Sequence, residues 1–137
     1  MSTKGRKVEP VRTGLLLIGH GSRATEAPKV LSEVAAALRR QFRKCVVEAA
    51  FLELNQPDVA GGIDRLVAQG AGRILFVPFS PYLDGHVGRD LPEHIAAART
   101  RHPGLEIRIA PHLGYDARLV SICADRIHRG LRDGRWL

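Results

Sequence analysis

The chain has little of what several large protein classes require. No apolar run approaches the roughly 20 residues that span a bilayer, so a membrane-embedded protein is not expected. Cysteine is scarce: Cys45 and Cys123 are the only two. They form no CxxC pair and no Cys/His run with zinc spacing, which sets aside a structural zinc site. Each sits in an apolar stretch, and buried reduced thiols are the expectation. Aromatic residues are equally few, with four Phe, two Tyr and one Trp. They do not interleave with Arg, so no base-stacking platform is available, and no helix-turn-helix, zinc-finger or RNP signature points to nucleic acid. No GxxxxGK[ST] loop exists to cradle a nucleotide triphosphate. The basic segment 1–12 has no apolar stretch behind it. It reads as a flexible leader rather than a secretory signal, and the cytoplasm is the expected compartment.

What remains is ordinary in bulk and unusual in charge. The 137 residues suit one domain, expected over 13–131 with a short tail at 132–137. Hydrophobic residues make up 45% and charged residues 26%, enough apolar material for a core without staples. The formal net charge of +7 calls for an acidic partner. With nucleic acid disfavoured, anionic lipid or a polyanionic small molecule is left.

Strand-like and helix-like patterns alternate four times. Gly14–Ile18 is a continuous apolar run ended by Gly19, as in a strand covered on both faces. Residues 24–43 carry apolar positions at helical spacing (Ala27, Val30, Leu31, Val34, Ala35, Leu38, Phe42). A second strand is expected over 45–53. A second helix opens at Pro57-Asp58 and ends near Gly70 and Gly72. A third strand spans 73–79, and a loop, Ser80 to His86, follows it. A third helix is expected to start near Asp90-Leu91-Pro92. A fourth strand at 105–110 and a fourth helix at 115–130, with Leu119, Ile122, Cys123 and Ile127 inward, complete the series. Alternating β and α units predict an α/β, flavodoxin-like domain: a four-stranded parallel sheet flanked by helices, in the order 2-1-3-4. Ligands then bind where the strand order reverses, between the carboxyl ends of strands 1 and 3.

Three polar residues project from that edge. Strand 1 ends in Gly19-His20-Gly21-Ser22-Arg23, strand 2 in Glu53, and the loop after strand 3 in His86. Two imidazoles and a carboxylate at one edge suit a divalent metal, and imidazole also exchanges protons near neutral pH. Each residue alone has a plainer reading, as a solvated loop histidine or a solvated strand-end glutamate. The glycines around His20 argue against it there, because they mark a tight turn or a close approach. His112 follows strand 4 at the same edge, whereas His94, His102 and His128 read as solvated. A dinucleotide fingerprint (Gly19-x-Gly21-x-x-Ala24) is a poor match, since Glu53 lies too far on and the second mononucleotide half is missing. A phosphohistidine enzyme wants Arg before the histidine, where Gly19 stands.

These residues resemble the small CbiX/SirB chelatases, the sirohydrochlorin cobalto- and ferrochelatases. Gly19-His20-Gly21-Ser22-Arg23 is similar to the family's opening motif, and Ala50-Phe51-Leu52-Glu53-Leu54-Asn55-Gln56-Pro57 to its second. Val77-Pro78, His86 and Asp90-Leu91-Pro92 resemble the third, and Leu113-Gly114-Tyr115-Asp116 the approach to the last helix. One departure stands out: the family's usual Gly-x-His is replaced by Asp84-Gly85-His86, with Gly directly before His.

The resemblance implies a chelatase-like fold and insertion of a divalent metal, cobalt or iron and possibly nickel, into sirohydrochlorin. That places the chain in cobalamin or sirohaem synthesis, with no organic cofactor. It implies a homodimer, since larger chelatases carry two such halves in one chain. It also implies that His20 and His86 are metal ligands, that Glu53 lies at substrate and metal, and that Ser80, Pro81, Tyr82, Leu83, Asp84 and Gly85 border the macrocycle. Ser22 lines the same site, and Arg23 and Arg89 stand beside it to pair with the carboxylates of the rim. A carrier of the same fold that binds metal or tetrapyrrole without turnover is the alternative.

Overall fold

The computed structural model describes residues 11–82 and 85–136, and over residues 83–89 no side chain. The expected leader lies, up to residue 10, outside the described residues. Eight elements alternate: β1 (Arg12–Gly19), α1 (Glu26–Gln41), β2 (Val46–Phe51), α2 (Val59–Ala68), β3 (Ala71–Pro78), α3 (Gly85–Arg101), β4 (Glu106–Ile109) and α4 (Ala117–Asp133). The four strands form one sheet in the order β2-β1-β3-β4, and every pairing is parallel. Among the described residues no helix is long and apolar enough to cross a membrane.

β1 is central, paired to β2 and β3, and its run Leu15–Ile18 is buried on both faces. Leu16 and Ile18, with Ile74 and Phe76 of β3, pack toward α2 and α3 through Ile63, Leu66, Leu91 and Ala98. Leu15 and Leu17, with Val47 and Phe51 of β2, pack toward α1 through Leu31 and Ala35. Parallel strands need such cover because both faces carry apolar side chains. α2 comes unusually close to the sheet at Gly62. A Cβ there would lie 2.7 Å from Leu16 Cδ1 and 2.9 Å from Ala50 Cβ. The Asp58 carboxylate caps α2 by accepting from the Gly61 N–H at 2.8 Å. The segment between β2 and α2, which carries Glu53, is thereby held at both ends.

Several expectations need correction. β2 ends at Phe51, not at residue 53, because the chain turns away there: the Glu53 carbonyl accepts from the Asn55 N–H at 2.8 Å. α3 begins at Gly85, so Gly85 and His86 belong to its first turn rather than to a loop, and Pro92 falls inside the helix on its exposed side. α4 has no buried residue, so Leu119, Ile122, Cys123 and Ile127 do not face a core of this chain. Cys123 is exposed and Cys45 only partly covered. For α4 the cause is that the half of the sheet a fourth helix would cover, the α1 side of β3 and β4, is left open. Arg73, Glu106 and Arg108 are exposed there and Leu75 is only half-buried.

His102 is not a solvated turn residue. Its Nε2 lies 2.7 Å from Asp64 Oδ1, and Arg101 pairs with the same carboxylate, tying the end of α3 to α2. The hydrogen bond from His102, and next to it the Arg101 charge, hold the Asp64 carboxyl below its ordinary 3.8. A depressed acid stabilises the fold above its unfolded value and loses that contribution as pH falls through the folded one. Asp64→Asn is therefore expected to lower the urea midpoint at pH 6 by the equivalent of about 0.2–1 kcal/mol, as for other partly exposed pairs. The gap to the parent protein should close as pH drops below about 4. Denaturant titrations of both proteins between pH 2 and 6 check this.

Candidate functional site

The site is built where the carboxyl ends of β1 and β2 leave the sheet. Pairing does not stop at Gly19 and Phe51. The Leu52 N–H donates to the Gly19 carbonyl at 3.0 Å, and the Glu53 N–H to the His20 carbonyl at 3.1 Å. This backbone clamp sets the two side chains next to each other. His20 Nε2 lies 3.1 Å from Glu53 Oε1, and both side chains are about half exposed, at 52% and 58%.

Gly21 makes the approach possible. Its φ is +106°, and a Cβ there would sit 1.8 Å from the Glu53 carbonyl oxygen. Any other residue pushes the two loops apart. A second tie comes from Asn55, whose Oδ1 accepts from the Ser22 N–H at 2.8 Å. The Ser22 Oγ accepts from the Ala24 N–H at 3.1 Å and turns the chain into α1. Leu54, between Glu53 and Asn55, takes a positive φ of 66° and is exposed. That left-handed residue points the Asn55 side of the loop back at the β1 loop.

A neutral imidazole offers a nitrogen lone pair and a carboxylate only accepts, so the two groups present donors suited to a cation or a proton. The pair can therefore hold a cation or take a proton. Beside it lies a hollow of about 180 Å³, lined by Gly19, His20, Ser22, Val30, Phe51 and Phe79 among others. A larger hollow of about 250 Å³ lies on the open face, around Arg73, Leu75, Glu106 and Arg108, away from these groups. Among the described residues, no three His, Cys, Asp or Glu side chains converge.

The remaining expected residues fall as follows. Ser22 and Arg23 lie in the β1 loop, Arg23 exposed. Ser80, Pro81 and Tyr82 follow β3 at the same edge. The Ser80 Oγ donates to the Tyr82 carbonyl at 2.7 Å, and the Ser80 carbonyl accepts from the Leu113 N–H at 3.0 Å. That second bond brings the segment after β4, with half-buried His112, to the edge. Leu83 and Asp84 lie outside the described residues, and the same holds for the side chains of Gly85, His86 and Arg89, whose backbone starts α3. Sequence reasoning missed Asn55, Leu54 and Tyr115. The last two are exposed apolar groups near the edge. Asn55 appeared in the sequence only as a member of the second motif, because its partner is a backbone N–H that lies 33 positions earlier in the chain.

The family model described as CbiX matches residues 14–130. The sirohydrochlorin cobaltochelatase of Sulfurisphaera tokodaii is 33% identical over 119 residues, which cover 87% of this chain and 94% of that protein. The sirohydrochlorin ferrochelatase of Bacillus subtilis strain 168 is 29% identical over 117 residues, which cover 85% of this chain and 45% of that protein. Among solved structures, the sirohydrochlorin chelatase SirB from Bacillus subtilis subspecies spizizenii, in complex with cobalt, superposes with a TM-score of 0.78 at 30% identity. That match covers 86% of this chain and 50% of the SirB chain.

The clamp makes a direct prediction about whatever chemistry His20 and Glu53 carry out. Asn55→Ala removes one hydrogen bond, worth about 1 kcal/mol, and releases the loop that holds His20. The expected result is a severalfold loss of turnover with unchanged circular dichroism and a KM altered less than kcat. Asn55→Asp, which keeps an acceptor at the same atom, should restore most of it. Gly21→Ala should be worse than either.

Proposed function

The chain belongs to the CbiX family, and from that premise we propose that it inserts a divalent metal, cobalt or iron, into sirohydrochlorin. The observation that carries this reading is the His20–Glu53 pair, held half exposed at the ligand-binding edge by backbone bonds between two strand ends.

Metalation of a free-base tetrapyrrole exchanges two pyrrole protons for one dication. The chain must present the ion, accept the protons and keep ring and ion in register. His20 suits the first two tasks in succession. A neutral imidazole nitrogen of His20 binds the incoming ion. Once the ion passes to the ring, the same lone pair is released and takes one of the displaced protons. Glu53, the carboxylate beside it, accepts the second proton. His86, in the first turn of α3, is the second ligand in this proposal. The metal here is substrate, and its identity follows supply more than affinity, because nitrogen and oxygen donors favour several late first-row ions; nickel is a further candidate.

Sirohydrochlorin is a flat, apolar ring with a polyanionic rim. The exposed Leu54, Tyr82 and Tyr115 near the edge suit the ring face, and Arg23 and Arg89, with the chain's net charge of +7, suit the rim. One such edge covers only one face of the ring. We therefore propose that two copies act together as a homodimer, each supplying half of the cleft.

Absorbance of purified protein mixed with sirohydrochlorin and Co²⁺, Fe²⁺ or Ni²⁺ tests the assignment. Metalation should run faster than in buffer with cobalt or iron. His20→Ala should lose about 10²-fold or more, the usual range for a general base that also positions its reactant. Glu53→Gln should lose less, because it removes only one of the two proton acceptors. Activity should decline on acidification through the range in which imidazoles protonate, since metal and proton compete for one lone pair. Tight binding of ring and metal without acceleration would instead make the protein a carrier.

A further inference from the structure

His20 stands between two glycines that are there for different reasons. Gly21 takes a positive φ. Gly19 does not, and what it supplies is room. A Cβ on Gly19 would lie 3.1 Å from Leu31 Cδ2 and 3.2 Å from Phe51 Cδ1 and Cε1, closer than side chains ordinarily pack. Gly19, Leu31 and Phe51 all line the hollow of about 180 Å³ beside His20. Phe79 joins them, brought there by the bond from its N–H to the Ile18 carbonyl at 2.8 Å. Two of the chain's four phenylalanines thus meet at this one spot.

α1 supplies a further wall. Ala27 and Val30, three positions apart, share one face of that helix, and both line the hollow. Val30 is 40% exposed, an apolar residue left at the surface. Among the described residues that line the hollow, none carries a fixed charge. His20 and Ser22 are the only polar side chains there, and the rest are apolar or glycine. A carboxylate placed in this space loses its water and gains no fixed cation, which is a costly transfer. The group that fits beside His20 is therefore uncharged and apolar.

That requirement narrows how a tetrapyrrole can lie on the edge. The rim of sirohydrochlorin is carboxylate-bearing almost throughout. Its exceptions are two C-methyl groups. Each shares a saturated ring carbon with a carboxymethyl arm, so methyl and acid leave the ring on opposite faces. The hollow is too small for the whole macrocycle, but it takes a methyl and the ring edge that carries it. We propose that this hollow is a specificity pocket, which seats a C-methyl group of the tetrapyrrole. It selects a methylated ring over an unmethylated one and sets the methyl-bearing edge beside His20. The proposal rests on the metalation reading above and adds the orientation of the ring. One carbon more or less in an apolar pocket changes kcat/KM by about 10–200-fold. Because Val30 leaves this pocket partly open, the lower end, about 10-fold, is the expected discrimination.

The test compares sirohydrochlorin with a ring of the uroporphyrin type, which has the carboxylates and lacks the two methyls. Metalation gives kcat/KM for each ring with the full chain, and absorbance titration without metal gives Kd. Each ring's own reactivity cancels when the ratio of the two is compared between parent and variant. Val30→Phe fills the hollow from an exposed helix position. It should lower the preference for the methylated ring about 10-fold, in Kd as well as in kcat/KM. Gly19→Ala, which intrudes from the sheet side, should act in the same direction. Val30→Leu is the milder filling variant if Val30→Phe disturbs the fold, and circular dichroism with a urea midpoint reports on that. Filling variants that slow both rings by the same factor overturn the pocket and leave the hollow a support for His20. A ratio that does not move overturns it as well. In both cases metalation by the parent protein leaves the chemical assignment standing. A parent that neither binds nor metalates sirohydrochlorin overturns the assignment and the pocket with it.

Discussion

The backbone clamp between the ends of β1 and β2 is the constraint on which the site depends. Two hydrogen bonds, Leu52 to Gly19 and Glu53 to His20, extend a parallel pairing past the last residues of the strands. Parallel strands start together at one edge and finish together at the other, so residues far apart in sequence leave the sheet side by side. Gly21 permits contact with the Glu53 carbonyl that no side chain tolerates. Asn55 closes the loop from the other direction. The imidazole and carboxylate are thus set at 3.1 Å by the scaffold rather than by their own attraction, which at half exposure is weak.

The core behind the clamp is arranged to keep that edge in place. β1 is buried on both faces, and α2 approaches it through Gly62 at a distance that leaves no room for a side chain. The segment carrying Glu53 and Asn55 runs from β2 directly into that helix, whose start is fixed by Asp58. Movement of the loop therefore costs packing in the middle of the domain. On the other side of β1, the apolar hollow by His20 is floored by Phe51 and Phe79, which gives the polar pair an apolar neighbour suited to a flat ring.

The opposite half of the molecule is unfinished as a single chain. Half of one sheet face is bare, and the last helix stands apart with its apolar stripe exposed. Family relatives occur both at this length and at about twice it, as the coverage of the cobaltochelatase and of SirB makes plain.

Strand order, the parallel sheet and the positions of His20 and Glu53 at its carboxyl edge were legible in the sequence. Those features rest on local patterns: a doubly buried strand is continuously apolar, helices repeat every 3.6 residues, and alternation of the two leaves few topologies. The start of α3 was misplaced: the helix begins at Gly85, and Pro92 lies inside it on an exposed side. What tertiary structure alone decided is whatever depends on partners distant in the chain. Asn55 finds a backbone N–H in another loop, His102 a carboxylate on another helix, and Gly21 a carbonyl that its neighbours in sequence do not hint at. The inward face expected for α4 fails most instructively. Periodicity records that a helix has an apolar side, but not which surface that side meets, because burial is a property of two surfaces and the sequence pattern describes only one.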